Sequence, residues 1–277
     1  ALNSALDYGM AVNDNMLNMG EDVGREGGVF RVTADMYEKY GPDRMFDTPL
    51  CELGIMGTAI GMAMAGMRPV CEMEFAGFSL TAFDQMVYHL ARYSWRTQGD
   101  FRLPIVVRMP AGGGHEAYEG HADSNEAFLI HAPGNLQVVY PSNPRDAKGL
   151  MAAALQTEDP VIFYEPIAKY FEKQDGVPVE HFTIPIGKAR IAREGQSATI
   201  IAYGNAVGMS EAAADILEGE GVSVEIIDLR TLKPWDEETC LNSIMKTGRL
   251  VVVHEAAKSA GFGAEIMLNA VRADHKL

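Results

Sequence analysis

The sequence predicts an α/β protein built of two parallel-sheet domains. Short β-branched or apolar runs alternate with small-residue helical stretches, the pattern of a mainly parallel sheet covered by helices. One run, Pro160 to Tyr164, is almost continuously apolar, as expected of a strand buried on both faces. A polar, proline-bearing stretch from about Gln174 to Gly187 divides two such alternating series. The expected domains are therefore residues 1–175 and 185–277.

The first residues, Ala1 to Leu6, have the character of helix interior. Leu53 to Met67 is uncharged and rich in Gly and Ala, and its fifteen residues fall short of the roughly 20 that a membrane span needs, so it reads as a buried helix. Pro69 to Glu74, Pro104 to Met109, Leu136 to Tyr140 and Pro160 to Tyr164 are the expected strands of the first half. Ser142-Asn143-Pro144 offers a cap followed by proline in the first turn, opening a helix through Ala147, Leu150, Ala153 and Ala154. In the second half, Ala198 to Tyr203, Val222 to Asp228 and Leu250 to His254 read as strands. Helices are expected over Val207 to Glu218 and Asp236 to Lys246, the latter ended by Gly248. The chain stops at Leu277 in or just after a helix, which reads as a C-terminal domain cut short.

The 277 residues carry 23 basic and 38 acidic side chains, a net charge of −15. Nucleic acid and anionic membranes are bound by clustered Lys and Arg, so neither is an expected partner. Three cysteines without a CxxC pair, Cys51, Cys71 and Cys240, fit a reducing compartment rather than a disulfide framework or a zinc site.

Glu52 opens the uncharged helix. There it either complements the helix dipole or serves as a functional acid, and burial would favour the second role by raising its affinity for a proton. Gly57, Gly61 and Ala65 recur every four residues on one face, so another helix can approach closely. Ala111 to Asp123 follows a strand directly, where ligands bind in open α/β sheets. Its triple glycine lacks the spacing of a phosphate loop, and His115, Glu116, Glu119, His121 and Asp123 lack a standard metal spacing. For His115, Glu116 and Glu119 a solvated loop is the better reading. Asp123 and Glu126 fit a capping arrangement for the helix that follows. His121, where loop meets helix, is open between a catalytic and an incidental role. Phe78, in a strand-to-helix turn, could stack on a heteroaromatic ligand. Gly204-Asn205-Ala206 is a tight turn into a helix, with a structural glycine.

Phe46-Asp47-Thr48-Pro49, Glu52 with Gly57 and Gly61, Arg68-Pro69-Val70, Phe83-Asp84-Gln85, Asp146 to Leu150, Asp228 to Leu232 and Val253-His254-Glu255-Ala256 together resemble one family over almost the whole chain. It is the beta subunit of the thiamine-diphosphate-dependent decarboxylating component of 2-oxo acid dehydrogenase complexes. Phe163-Tyr164-Glu165-Pro166 and Lys233-Pro234-Trp235-Asp236 look most like its branched-chain branch, with pyruvate and acetoin enzymes as the alternatives.

The resemblance implies a transketolase-like pyrimidine-binding domain followed by a transketolase C-terminal domain. It implies an alpha subunit in an α₂β₂ heterotetramer, and a dihydrolipoyl acyltransferase core that receives the acyl group. The Gly-Asp-Gly motif that holds diphosphate and Mg²⁺ in such enzymes is absent here, so this chain is expected to supply half of a cofactor site. By resemblance Glu52 is the acid bonded to the aminopyrimidine, in an E-x₄-G-Φ-x-x-G pattern with Thr58 at the apolar place. Phe78 and Glu74 line the same pocket, Glu74 standing where Gln or Met is common. His121 is the histidine of substrate binding and acyl transfer, in His-Ala-Asp rather than His-Ser-Gln or His-Ser-Asp. A structural K⁺ is implied at the carbonyls of Ile105, Ala154, Thr157 and Asp159. The expected compartment is the cytoplasm of a prokaryote or the mitochondrial matrix of a eukaryote. A subunit that only docks an acyltransferase is the non-enzymatic alternative.

Overall fold

The structure, a computed structural model, describes residues 1–114, 116 and 118–274. His115 lies outside them. The first half contains α1 (Leu2–Val12), β1 (Met16–Gly20), α2 (Met36–Tyr40), β2 (Met45–Asp47), α3 (Glu52–Met64), β3 (Arg68–Glu72), α4 (Tyr93–Arg96), β4 (Val106–Ala111), α5 (Glu126–Ile130), β5 (Gln137–Val139), α6 (Pro144–Ala154) and β6 (Val161–Pro166). The second contains β7 (Arg190–Arg193), β8 (Ala198–Ala202), α7 (Asn205–Gly219), β9 (Val224–Asp228), β10 (Thr231–Lys233), α8 (Glu237–Thr247), β11 (Leu250–Val253) and α9 (Phe262–Asp274). A 3-10 turn, Phe78–Ala82, and a π-helical turn, Gln85–Leu90, connect β3 to α4.

Two sheets form, as the alternation predicts. The first runs β10-β5-β6-β4-β3-β1-β2, parallel except for β10, and the second runs β11-β8-β9-β7, parallel except for β7. Every residue of β4 and β6 is buried, the expected state of central parallel strands covered on both faces. Asn143 caps α6 by accepting from the Asp146 amide, with Pro144 in the first turn, and Gly248 ends α8 at φ +68.

Four strands escape the sequence pattern. Met16-Leu17-Asn18-Met19-Gly20 has no β-branched residue and carries a buried Asn18, yet it forms β1 between β2 and β3. β2 and β10 are three residues each, too short to show alternation, and β7 is half-exposed with charged ends.

β10 leaves its own domain and pairs antiparallel with β5 of the first sheet. Around it, Asp228 accepts from Ser142 and from Arg190, and Arg190 and Arg230 both reach Asp146. One apolar cluster runs through the junction, from Met56 and Val107 past Tyr140 and Tyr164 to Ile201, Ile227 and Ile266. The two sheets are thus fastened by main-chain pairing, ion pairs and a shared core.

Candidate functional site

The carboxyl ends of parallel strands face a common crevice in such sheets, and here three glutamates gather there. Glu21 follows β1, Glu74 lies two residues past β3, and Glu52 is the first residue of α3. Glu21 and Glu52 are both more than nine-tenths buried. Oε1 of Glu21 is a buried acceptor without a partner among the described residues. Burial, then the carboxylates of Glu52 and Glu74, push the Glu21 carboxyl up to about 7. It holds a proton near neutrality first because burial disfavours its charged form, and then because like charges stand beside it. Glu52 accepts a 2.9 Å hydrogen bond at Oε2 from the hydroxyl of Thr81.

Beside these acids stands an aromatic group. Phe78 begins the 3-10 turn after β3 and meets His121 edge to face, with ring centroids 5.0 Å apart. Phe75 meets both, at 4.7 Å from His121 and 5.5 Å from Phe78. Two glycines allow the approach. A Cβ on Gly77 would overlap the carbonyl of Gly120 and sit 2.7 Å from an Asp123 carboxylate oxygen, and Gly120 itself takes φ +86 against the Phe78 ring. His121 is held through Nδ1 by the carbonyl of Glu119 at 3.3 Å.

Beneath the crevice, Arg108 on β4 is 1% exposed and forks onto Glu165 of β6 at 2.7 and 2.9 Å. Its remaining amino group donates to Glu72 of β3, and Tyr170 donates to Glu165. Two carboxylates on one guanidinium leave this cluster net negative, and burial raises the Glu72 carboxyl above its ordinary range.

The structure brings Phe78 and His121 into one contact group and sets Glu52 and Glu74 around Glu21. It does not place Glu126 as a cap. Asn125 occupies the N-cap of α5 with no side-chain cap bond. Glu126 is instead fully buried, with Oε1 accepting from Tyr203 at 2.6 Å. The local spacing mimicked a capping box, but the side chain turns toward the second domain. Gly204 is structural as expected, since its φ is +57 and a Cβ would lie 2.8 Å from the Tyr140 ring. Among the described residues no group of three or more His, Cys, Asp or Glu could hold a metal ion, and His115 of that candidate loop lies outside them. The carbonyl of Ile105 accepts from the Val161 amide, and that of Thr157 accepts from the Arg68 guanidinium.

Sequence reasoning missed Glu21, Thr81 and Phe75 as members of this site. Glu21 followed a strand that the pattern did not reveal. Had β1 been recognised, its position at a strand's carboxyl end would have marked it.

α3 leaves one side uncovered. Leu53, Gly57, Gly61 and Met64 are exposed, and a Cβ on Gly61 would meet nothing within 4 Å. On the glycine face predicted to receive a helix, a Cβ at Gly57 would lie 3.9 Å from Gln85 of the π-helical turn, while one at Gly61 meets nothing within 4 Å among the described residues, although Glu52 heads that same helix.

This arrangement, acids and an aromatic group at the carboxyl ends of a parallel sheet tied to a second parallel-sheet domain, matches the family model described as transketolase, pyrimidine binding domain, over residues 1–172. The model described as transketolase, C-terminal domain, follows over residues 187–276. The chain belongs to the 2-oxo acid dehydrogenase beta-subunit family of the transketolase-like superfamily. Among curated proteins it is 48% identical to the pyruvate dehydrogenase E1 component subunit beta of Acholeplasma laidlawii, covering 96% of this chain and 81% of that protein. It is 46% identical to the subunits of the same name from Staphylococcus epidermidis and Staphylococcus aureus, over 96% of this chain and 82% of each. Among solved structures a split-gene transketolase, described as an inactive beta4 tetramer, superposes with a TM-score of 0.81 at 23% identity, covering 98% of this chain and 82% of that one. That likeness concerns the fold.

These relatives carry the pyruvate name, the stated alternative to the branched-chain leaning. Phe163, Tyr164 and Glu165 are buried in β6, and Lys233 ends β10, where it pairs with Val138 of β5. Among the described residues no helix is long and apolar enough to cross a membrane.

Proposed function

We propose that this chain is the beta subunit of a pyruvate dehydrogenase of the thiamine-diphosphate type, acting with an alpha subunit and passing its acyl group to lipoyl on an acyltransferase core. The observation that carries the reading is the donor set at the crevice. A buried carboxyl on Glu52 beside an aromatic turn at Phe78 suits an aminopyrimidine, which needs a proton shared at a ring nitrogen and a flat partner. The same crevice is unfit for a diphosphate. The groups acting on Glu21 are the carboxylates Glu52, Glu74 and Asp22, with Asp123 at the aromatic side, and Gly-Asp-Gly is absent from the sequence. The residues thus fit one half of the cofactor, and the diphosphate with its Mg²⁺ falls to the alpha partner.

When bound, thiamine diphosphate supplies the electron sink for loss of carbon dioxide from a 2-oxo acid. Glu52 holds a proton at the aminopyrimidine nitrogen, Glu74 and Phe78 line that ring, and His121 faces substrate and the incoming lipoyl group. Glu21 keeps its own proton and so spares Glu52 a second full negative charge nearby. The exposed glycine face of α3 receives a helix of a neighbouring subunit in an α₂β₂ assembly. Division of the chain near 175–185 separates a pyrimidine-binding domain from a C-terminal one, and the setting is a bacterial cytoplasm. A structural K⁺ at the carbonyls of Ile105, Ala154, Thr157 and Asp159 would share the Thr157 oxygen with Arg68.

The test is 2-oxo-acid-dependent dye reduction, with thiamine diphosphate and Mg²⁺, by this chain alone and after co-expression with a candidate alpha subunit, across pyruvate and branched-chain acids. Activity in the pair with pyruvate preferred, and none in Glu52→Gln of the same assembly, is the expected result. Retained activity in Glu52→Gln overturns the role of Glu52, and activity of the chain alone overturns the half-site.

A further inference from the structure

We infer that Thr81 is a positioning residue for Glu52, setting both the direction of its carboxyl and the pH at which it ionises. This rests on the reading of Glu52 as the acid facing the aminopyrimidine. Thr81 lies in the 3-10 turn that begins with Phe78, so one short segment presents both the flat ring and the hydroxyl. Its Oγ1 is 2.9 Å from Oε2 of Glu52 and 2.9 Å from the carbonyl oxygen of Phe78. A hydroxyl has one proton to give, and the carbonyl can only accept.

Two states of the trio follow. With Glu52 ionised, the hydroxyl gives its proton to the carboxylate in a charge-assisted bond, the stronger of its two choices. With Glu52 protonated, the carboxyl donates to Oγ1 and the hydroxyl turns to the Phe78 carbonyl. Either state ties down Oε2. Among the described residues, the carboxylates Glu52, Glu74 and Asp22 all act on Glu21, so Glu52 sits in acidic surroundings, with the thiol of Cys51 adjacent in sequence. Thr81 supplies a neutral donor to Glu52 within that acidic surround.

A threonine that merely closed its own turn onto Phe78 would predict something different. Removing the hydroxyl would then lower thermal stability without moving the pH dependence. The experiment uses the active assembly with the alpha subunit and compares Thr81→Val, which keeps the shape, with Thr81→Ser, which keeps the hydroxyl. In Thr81→Val, kcat should fall about tenfold and the acidic limb of the pH profile should move up by about one unit, the effect of one hydrogen bond to a charged group. Calorimetry should show thiamine diphosphate bound about tenfold more weakly, a readout independent of turnover. Thr81→Ser should restore all three. A Thr81→Val assembly with unmoved pH profile and unchanged affinity overturns the inference, as does a serine variant as impaired as valine. Glu52→Gln separates the two layers of the argument. If that variant is active, the assignment of Glu52 fails; if it is dead while Thr81→Val behaves as wild type, only the role of Thr81 fails.

Discussion

The hydroxyl of Tyr203, at the end of β8, donates to Oε1 of Glu126 at the start of α5 across 2.6 Å, joining the two domains through a fully buried acid. The second oxygen of Glu126 is buried without a partner among the described residues, and burial raises the carboxyl above its ordinary range. Tyr203→Phe removes the bond and leaves both oxygens unserved. It should cost about 1–3 kcal/mol, the usual penalty for an orphaned buried polar group, read from the urea midpoint of the isolated chain. A change under about 0.5 kcal/mol, within the range of ordinary surface substitutions, would show that the contact does not hold the domains.

Among the described residues, Arg108 is the sole cation in a cluster with Glu72 and Glu165 that is almost wholly buried. Arg108→Met strands two carboxylates in the centre of the first sheet. A loss of about 3–5 kcal/mol is expected, enough to unfold a marginal domain. Adding Glu165→Gln and Glu72→Gln should recover part of it, because those changes remove the stranded charges; the double-mutant logic fails if the losses simply add.

The pH dependence of stability follows from Glu21. Its carboxyl titrates at about 7 in the folded chain and near 4.5 ordinarily. Between those values the folded state keeps a proton that the unfolded chain has released, so stability falls as pH rises through that window. Glu72, Glu126 and Asp228, also raised by burial, act in the same direction. Urea unfolding of Glu21→Gln should therefore show a shallower decline than wild type, though not a flat one. An unchanged slope would mean that Glu21 is ordinary in its ionisation.

Gly61 gives the test of the uncovered helix face. Because a Cβ there meets nothing within 4 Å among the described residues, Gly61→Leu should leave the isolated subunit as stable or gain about 0.5–1 kcal/mol from helix propensity. The same leucine would block close helix approach, so co-purification with an alpha subunit should fail. Normal assembly would remove α3 from the interface.

Gly77 tests the contact between the Phe78 turn and the His121 loop. Its backbone is in the ordinary helical region, so alanine is tolerated there conformationally, but a Cβ would overlap Gly120 and press on Asp123. Gly77→Ala should lower kcat by about tenfold or more through displacement of His121, with a modest effect on thermal stability. Full activity would show that the ring contact at 5.0 Å is incidental.

What the sequence determined alone was whatever rests on local pattern. Alternating apolar runs specified the central strands because parallel strands buried on both faces tolerate little else, and Asn143-Pro144 and Gly248 marked helix ends by backbone chemistry. Glu52, Phe78 and His121 were named as candidates through ordered motifs shared with a family. The tertiary structure decided what depends on which side chains meet. β1 has no propensity signature and becomes a strand only because β2 and β3 flank it. Glu21 enters the site through that strand. Glu126 imitates a cap in sequence and is drawn inward by Tyr203, 77 residues away. Thr81 looks like any turn threonine until its hydroxyl is found between a carboxyl and a carbonyl with one proton to share. Such placements follow from long-range packing, which burial enforces and no local spacing encodes.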